Sequence, residues 1–449
     1  MERIREFLRR EQEYEPIENG DDGEPSPTAT RKPRGFNYVE YGIFLLLGIS
    51  MLWAWNMFLA AGPYFQRRFH SNSWIYENFQ AAEISVSTIT NLGSMLILTR
   101  LQANASYPKR IVASLLINMV VFSLLAISTA VQTSAEVYFG FLMVVMFLTS
   151  LATGLCQNGI FAYVSGFAEP RYTQGIMTGQ AVAGVLPCIL QIVSVLSVQG
   201  RGRMPHEGPP HGPPPVPWTA ALAYFVTATA ISVVTLLAFG YLFARNWQPK
   251  KNVQDESDDP DAAAAAAEDR KAIPLLYLLR KLVWLAGGVF VTFVITMVFP
   301  VFTQQIVSVR PPEEQSPILQ PPSFIPLALL FWNAGDLIGR LITAVPSLSL
   351  VLRPRIVFGL AVSRVVFIGL YHLCNIRGQG AIVNSDFFYL VMVQLFFGLS
   401  NGYLGSTCMI GAGECVEEEE REAAGGFMGL CLVAGLTVGS LLSFFITGL

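Results

Sequence analysis

Long apolar runs separated by shorter polar segments dominate this chain. Each run holds about 20 or more mostly apolar residues, the length that a helix needs to cross a hydrocarbon layer about 30 Å thick. Backbone groups in lipid must pair within their own segment, so each run predicts a helix and not an open strand. Eleven runs fit this description, at residues 38–66, 79–101, 110–132, 136–167, 174–199, 217–245, 281–308, 323–348, 354–375, 385–411 and 422–448.

The polar segments divide the predicted all-α membrane protein into four parts. Residues 1–37 lack an apolar core, so we expect a disordered cytosolic tail and not a cleaved signal peptide. An acidic stretch after the sixth run predicts a mobile cytosolic linker over residues 246–280. The remainder predicts a six-helix bundle over 38–245 and a five-helix bundle over 281–449, packed around a pathway as in many transporters.

The distribution of Lys and Arg predicts the orientation of these helices. If the N-terminus is cytosolic, most of the basic residues near the ends of the runs also lie on the cytosolic side, as the positive-inside rule requires. The C-terminus then lies on the far side. The sequon Asn104-Ala-Ser106 falls in a cytosolic loop, so we expect it to be unglycosylated.

Composition supports a membrane protein and argues against several other classes. Of the 449 residues, 52% are hydrophobic and 14% are charged, whereas soluble proteins carry about 25% charged residues. No basic stripe with interleaved aromatics indicates nucleic-acid binding. The six cysteines fall mostly in apolar runs without CxxC spacing, and no phosphate-binding glycine motif or histidine cluster occurs. We therefore expect no metal, no cofactor and no enzyme activity.

The eighth run carries the strongest candidate for function. Asn333, Asp336 and Arg340 are spaced i, i+3 and i+7 and therefore share one helix face. Asp336 and Arg340 also form an i, i+4 pair, in which each charge offsets part of the desolvation cost of the other. A carboxylate beside a guanidinium suits the vicinal hydroxyls of a sugar. A purely structural ion pair that joins two helices remains the alternative.

Two other runs offer polar or aromatic groups within the predicted bilayer. In the first run, Leu52, Trp55, Asn56 and Leu59 fall on one face, where an indole and an amide suit a flat heterocycle. In the fourth run, Gln157 stands between glycines, which permit close approach of a ligand or a helix. Helix-to-helix packing and hydrogen bonding remain the alternative for both sets.

Three further acidic or basic positions lie within or near the ends of runs. Arg364 in the ninth run needs a partner, for which Glu414 or the acidic segment Glu417–Glu420 are the candidates. We interpret this contact as a cytosolic gate or a structural contact. Glu83 and Asp386 lie near predicted outer helix ends, where we expect both to be solvated.

Prolines and paired glycines predict local shape and packing. Pro187, Pro300 and Pro326 can bend their helices, since neighbouring helices can satisfy the freed carbonyls. The pairs Gly398–Gly402 and Gly435–Gly439 have the small-xxx-small spacing that marks close helix packing.

Four motifs stand in order along the chain: Trp55-Asn56 followed by Tyr64-Phe65, Tyr172-Thr-Gln-Gly-Ile-Met-Thr-Gly-Gln180, Asn333-x-x-Asp336-x-x-Gly339-Arg340 and Ser400-Asn-Gly-Tyr-Leu404. Each is weak alone. Together, on eleven runs with a long loop after the sixth, they resemble the equilibrative nucleoside transporter family, in its fungal form, from about Tyr41 to Leu449.

The resemblance implies a fold related to the major facilitator superfamily and facilitative transport of nucleosides, and of nucleobases, by alternating access. It also implies the roles of individual residues. By position, Asp336 and Arg340 would bind the ribose, Gln157 and Trp55 would line the nucleobase side, Leu52 and Leu59 would pack on the base, and Asn56 and Asn333 would support the cavity. Ala54, Leu59, Asn158 and Gly159 depart from the usual pattern, which leaves the preference between nucleosides and nucleobases open.

Other interpretations stay open at this stage. The Asp336–Arg340 pair alone would also suit a sugar carrier, and transport could be coupled to protons. We expect a monomer whose partners are the substrate and the lipid bilayer. A Tyr-x-x-apolar signal, Tyr14-Glu-Pro-Ile17, favours a vacuolar, lysosomal or endosomal membrane over the plasma membrane.

Overall fold

The structure is a computed structural model that describes residues 36–102, 105–199, 218–246 and 273–447. Nearly all of the predicted tail, the sorting motif within it, the sequon residue Asn104 and most of the predicted linker lie outside these residues. The described residues from Asn37 onward form one compact unit.

Eleven helical segments among the described residues are long and apolar enough to cross a membrane, which confirms the predicted fold class. We call them spans 1 to 11 in chain order. Their bounds are Tyr38–Ala60, Ser73–Arg100, Tyr107–Ser128, Ala135–Ser165, Pro170–Val193, Ala221–Asn246, Val283–Gln305, Pro321–Ile342, Pro354–Tyr371, Phe388–Glu414 and Glu418–Ser443. Two short helices, Gly62–Phe69 and Leu275–Lys281, flank spans 1 and 7.

Short polar side chains fix where several spans begin. The Oδ1 atom of Asn37 accepts hydrogen bonds from the first backbone amides of span 1, at 2.8 Å from Val39 and 3.4 Å from Glu40. Asn72 caps span 2 in the same way, through the amide of Ile75 at 3.2 Å. Such caps satisfy backbone donors that have no partner within the helix.

Span 11 begins with a 3-10 turn at Glu418–Glu420, and three other spans are interrupted within their length. Their segments are Val283–Thr296 and Val298–Gln305 in span 7, Pro354–Ser363 and Val366–Tyr371 in span 9, and the π-helical Phe388–Leu395 followed by Phe396–Glu414 in span 10. Pro300 accounts for the break in span 7, because it has no N–H to donate to the carbonyl of Thr296. Pro187 and Pro326 instead lie inside helices that continue past them.

Span 8 and span 10 pack closely through glycines. A Cβ atom on Gly398 would overlap the carbonyl oxygen of Trp332, and one on Gly402 would overlap that of Asp336. Gly335 and Gly339 face the backbone of span 10 in the same manner. The structure thus confirms the predicted packing role of the Gly398–Gly402 pair, and it brings span 10 against the turn that carries Asp336.

Gly435 and Gly439 play the corresponding part in span 11. A Cβ atom added to Gly435 would lie 2.6 Å from the carbonyl oxygen of Phe290 in span 7, and one added to Gly439 would lie 2.5 Å from that of Val294. The missing side chains therefore make room for the backbone of span 7, which confirms the packing prediction for this pair as well.

Two aromatic-rich clusters fill the interior. The first draws its buried side chains from spans 1, 2, 3, 4 and 6 and from the short helix Gly62–Phe69, with Phe65, Phe122 and Phe225 fully buried. The second draws on spans 7, 8, 9 and 10, and includes the stacked rings of Phe299 and Trp332, whose centroids are 4.2 Å apart. Each of these two clusters stays on one side of the predicted linker.

Candidate functional site

Asp336 and Arg340 form the predicted ion pair on span 8. Nε of Arg340 lies 2.8 Å from Oδ2 of Asp336, and the two residues are only 5% and 3% exposed. Nη1 of Arg340 donates to the carbonyl of Met177 at 2.6 Å and to Oε1 of Gln180 at 3.0 Å. The guanidinium therefore joins span 8 to span 5. Its Nη2 atom makes no hydrogen bond to the residues that the structure describes.

Asn401 and Gln180 complete the surroundings of this pair. Oδ1 of Asp336 accepts a hydrogen bond from Nδ2 of Asn401 at 2.7 Å. Nε2 of Gln180 lies 2.8 Å from the sulfur of Met51 in span 1. Asn401 and Gln180 each belong to one of the four motifs noted in the sequence, but no role was predicted for either residue. The signal that could have identified them is an amide in the middle of a predicted span, where an unpaired polar group is costly.

Asn56 of span 1 and Asn333 of span 8 both contact the same part of span 5. Nδ2 of Asn56 donates to the carbonyl of Ala183 at 2.7 Å. Nδ2 of Asn333 donates to the carbonyl of Leu329 at 2.8 Å and lies 3.5 Å from the sulfur of Cys188. Asn333 fits there because Gly184 has no side chain that would collide with its Oδ1 atom. Spans 1, 5 and 8 are thereby brought together around two of the predicted site residues.

The aromatic and aliphatic residues predicted on span 1 remain partly accessible. Trp55 is half-buried and stacks with Phe58, with ring centroids 6.4 Å apart and planes inclined by 14°. Leu52 is half-buried, and Leu59 is 52% exposed. The indole face and these two leucines can therefore still meet a ligand.

Gln157 in span 4 is buried with one polar atom unused. Its Oε1 atom has no hydrogen-bond partner among the described residues. The adjacent Asn158 differs, because its Nδ2 donates to Thr99 at 3.3 Å and its Oδ1 accepts from Arg110. A buried acceptor without a partner requires an explanation, and a bound ligand or water would supply one.

Arg364 does not find the partners that the sequence suggested. It is 2% exposed and donates to Oγ of Ser400 at 3.0 Å, to Oγ1 of Thr296 at 3.1 Å and to the carbonyl of Thr292. Glu414 is exposed at the end of span 10 instead. The predicted pairing with Glu414 is therefore wrong, because Arg364 points towards span 7 and not towards the acidic end of span 10.

The acidic segment Glu417–Glu420 pairs with a different cation. Nζ of Lys281 lies 2.5 Å from Glu420 and 3.8 Å from Glu417. The hydrogen bond to Glu420 raises the pKa of Lys281. This contact ties the short helix before span 7 to the start of span 11.

The two carboxylates predicted to be solvated behave differently. Glu83 is buried, and its Oε1 atom has no hydrogen-bond partner among the described residues, so the prediction for Glu83 is wrong. The reason is that span 2 begins at Ser73, ten residues before Glu83, so Glu83 lies inside the helix and not at its end. Asp386 is half-buried and accepts hydrogen bonds from Ser308 at 2.7 Å and from the amide of Val309 at 3.0 Å.

Two surface hollows lie away from the ion pair. One of about 430 Å³ lies beside the loop between spans 8 and 9 and is lined by Ile342, Ser347, Leu348, Ser349, Leu350, Leu399 and Tyr403. Another of about 390 Å³ lies beside Arg310 and Asp386, at the opposite ends of the spans. Neither contains a residue that the sequence assigned to substrate. Within the described residues, no three His, Cys, Asp or Glu side chains come together as metal ligands would.

Comparison with known proteins places these features in a family. The profile of the family described as "Nucleoside transporter" matches residues 142–448. The chain is 28% identical to the nucleoside transporter FUN26 of Saccharomyces cerevisiae, over 90% of this chain and 83% of that protein. It is 25% identical to the human equilibrative nucleoside transporter 1, over 93% of this chain and 98% of that protein.

Solved structures show the same fold at much lower sequence identity. The major facilitator superfamily transporter FucP, in an outward conformation, matches with a TM-score of 0.54 and 13% identity, over 91% of this chain and 96% of that chain. The human organic anion transporter MFSD10 matches with a TM-score of 0.57 and 12% identity, over 91% and 93%. The eleven spans therefore adopt the major facilitator fold, and the chain belongs to the nucleoside transporter family.

Proposed function

We propose that this chain carries nucleosides, and also nucleobases, down their concentration gradients by alternating access. The observation that carries the proposal is the buried Asp336–Arg340 pair, which joins span 8 to span 5 and in which Nη2 of Arg340 has no hydrogen-bond partner among the described residues. A carboxylate acceptor and a guanidinium donor at one point can bind two neighbouring ribose hydroxyls. The names of the relatives in yeast and human are consistent with this substrate class.

The base would lie towards span 1. Trp55 offers a ring face for stacking, and Leu52 and Leu59 offer partly exposed apolar surface beside it. Gln157 would bind the edge of the base through its unused Oε1 atom. In this proposal Asn56 and Asn333 do not touch substrate but hold spans 1 and 8 against span 5.

Residues 38–245 and 281–449 would move as two bodies. The confinement of each aromatic cluster to one of these halves supports this division. In the structure, span 4 and span 11 meet where Gly425 lies against the carbonyl of Phe161, near their predicted cytosolic ends. Spans 5 and 8 also join the two halves, through Arg340 with Met177 and Asn333 with Cys188. The contact between spans 4 and 11 would close the pathway on its cytosolic side.

Uptake into proteoliposomes tests the proposed function. Purified protein should accumulate radiolabelled uridine and adenosine until inside and outside concentrations are equal, with no energy source. Asp336→Ala and Arg340→Ala should each abolish this flux while the protein remains folded, whereas Arg171→Ala, which removes an exposed arginine from a surface ion pair, should not. Flux no greater than in protein-free vesicles, across several nucleosides and bases, would exclude the proposal.

The cellular membrane and the oligomeric state are further parts of the proposal. The sorting motif Tyr14-Glu-Pro-Ile17 supports a vacuolar, lysosomal or endosomal membrane, with the N-terminus in the cytosol. A fluorescent fusion should therefore label an internal membrane, and Tyr14→Ala should move it to the cell surface. We propose that the protein works as a monomer, since the pathway lies within one chain; size-exclusion chromatography with light scattering measures this directly.

A further inference from the structure

A line of hydrogen bonds continues from Asp336 away from Arg340. Nδ2 of Asn401 donates to Oδ1 of Asp336 at 2.7 Å, and Oγ1 of Thr296 lies 2.6 Å from Oδ1 of Asn401. Nη2 of Arg364 then donates to Oγ1 of Thr296 at 3.1 Å. The side chains of spans 8, 10, 7 and 9 thus form one buried relay that begins at the carboxylate proposed to bind substrate.

Arg364 makes only neutral direct contacts. Its guanidinium donates to Ser400, Thr296 and the carbonyl of Thr292, and it lies 4.6 Å from the centroid of the Phe397 ring. Among the described residues, no carboxylate lies within ion-pair distance of it. A buried cation in the bilayer is costly unless an anion compensates it. The relay connects Arg364 to the carboxylate of Asp336, so this one anion compensates the charges of both Arg340 and Arg364.

The backbone is irregular where the relay passes. Span 7 breaks after Thr296, and span 9 breaks at Arg364 itself. The π-helical segment of span 10 ends at Leu395, less than two turns before Asn401. Interrupted helices and π-turns at membrane depth are concentrated at functional sites and around polar cavities. The relay therefore passes through a region where three spans are irregular.

We propose that Asn401, held by Thr296 and Arg364, is a positioning residue that sets the specificity of Asp336 for ribose hydroxyls. The amide of Asn401 occupies one side of Oδ1, and Nε of Arg340 occupies one side of Oδ2. Each carboxylate oxygen of Asp336 keeps a lone pair that can accept a hydrogen bond from a ribose hydroxyl. The two donors hold the carboxylate in place and thereby fix the direction of that lone pair. This inference rests on the proposed function of the same site.

The test compares uridine with 2′,3′-dideoxyuridine, which lacks both neighbouring ribose hydroxyls. For the full-length protein in proteoliposomes, Asn401→Ala should raise the KM for uridine by about tenfold, the loss expected for a charge-assisted hydrogen bond. It should leave the KM for 2′,3′-dideoxyuridine nearly unchanged, so that the ratio of the two KM values falls towards one. If Asn401→Ala weakens both substrates equally, Asn401 is only structural and the inference fails.

Gln394 provides a matched control on the same span. It is a fully buried amide that donates to Thr303 at 2.7 Å and accepts from Tyr371 at 3.0 Å, within the second aromatic cluster. Gln394→Ala should lower the thermal stability of the protein but leave the ratio of the two KM values as in the wild type. A change of that ratio in Gln394→Ala would also overturn the inference.

A second series tests the contribution of Arg364. Thr296→Val removes the hydroxyl between Arg364 and Asn401 with little change of shape and should reduce discrimination in the same direction as Asn401→Ala; Thr296→Ser should restore it. The double variant Asn401→Ala with Thr296→Val should discriminate no worse than Asn401→Ala alone, since both cut one relay. Additive losses would show that the two residues act separately.

If the wild-type protein moves no uridine at all, the proposed function fails, and not this relay.

Discussion

At the scale of single residues, Arg340 is set apart by its geometry as well as by its charge. The guanidinium reaches Asp336, Met177 and Gln180 in three directions at once. A lysine supplies a point charge that cannot form this fixed fork. Arg340→Lys should therefore lower kcat/KM for uridine at least about tenfold, which corresponds to the loss of one charge-assisted hydrogen bond. Initial rates in proteoliposomes measure this.

The control for this substitution is Arg171→Lys, which changes an exposed arginine in the same way. It should transport at the rate of the wild type. If Arg340→Lys also transports normally, the positive charge alone is sufficient and the bridging geometry has no part in binding.

Glu83 gives a prediction about stability. Its Oε1 atom is buried in span 2 and has no hydrogen-bond partner in the part of the chain that the structure describes. Burying a polar group that is not hydrogen-bonded costs about 1–3 kcal/mol, and more if the group is charged. Glu83→Leu should therefore stabilise the purified protein by about 1–3 kcal/mol, seen as a higher melting temperature in detergent. Glu77→Leu, at an exposed position on the same helix, should change the melting temperature little. A lower melting temperature for Glu83→Leu would contradict the prediction.

The sequence identified those site residues whose relation is local. Asp336 and Arg340 lie four positions apart, so the helix period alone brings them together. The partner of Arg364 could not be found this way, because Thr292 is 72 positions away and belongs to another span. Gln180 is 160 positions from Arg340. A single sequence carries no record of such distant pairs, and charge complementarity pointed to Glu414 instead.

At the scale of secondary structure, the apolar runs located all of the spans and Pro300 indicated the break in span 7, but the irregularities of spans 9 and 10 were not predicted. Hydrophobic length is a property of the local sequence, and so is the break before Pro300. The break at Arg364 and the π-helical segment of span 10 have neither a proline nor a glycine within them. They depend on tertiary contacts, namely the hydrogen bonds of Arg364 with span 7 and the close packing of span 10 on span 8.

Gly402 tests that packing. A Cβ atom at Gly402 would overlap the carbonyl oxygen of Asp336. The backbone fixes the position of both atoms, so no side-chain rotation can relieve the overlap. Gly402→Ala should destabilise the protein by about 1–3 kcal/mol and should raise the KM for uridine by displacing the turn that carries Asp336. Thermal unfolding and uptake assays measure the two effects.

Gly413 on the same span is the matched control. Its Cβ position meets nothing within 4 Å. Gly413→Ala should leave transport unchanged and stabilise the helix by up to about 1 kcal/mol, since alanine is the better helix former. Equal effects of the two substitutions would mean that helix propensity, and not contact between spans 8 and 10, decides the outcome.

At the scale of the whole molecule, the contact between spans 4 and 11 joins the two proposed bodies. Gly425 lies against the carbonyl of Phe161, and Gly429 lies against the ring of Phe161 and the side chain of Met95. Near the loop, the Cβ position of Gly166 is 2.9 Å from Oε1 of Glu422. Small residues here let two helices from different halves approach closely. Movement of the two proposed bodies would require this contact to separate as one surface.

Gly425→Val should therefore open the cytosolic side. Overpacking at this contact costs about 1–3 kcal/mol, which is enough to change the ratio of two conformations at least about fivefold. Ala162 is fully buried beside this contact, so a cysteine placed there, in a protein lacking its native cysteines, reports the separation of the spans. A membrane-impermeant maleimide added from the cytosolic side should label Ala162→Cys faster when Gly425→Val is present. Gly240→Val, at an open position in span 6, should leave the labelling rate unchanged. An unchanged rate in the Gly425→Val protein, with its normal elution on size exclusion, would show that this contact does not separate during the transport cycle.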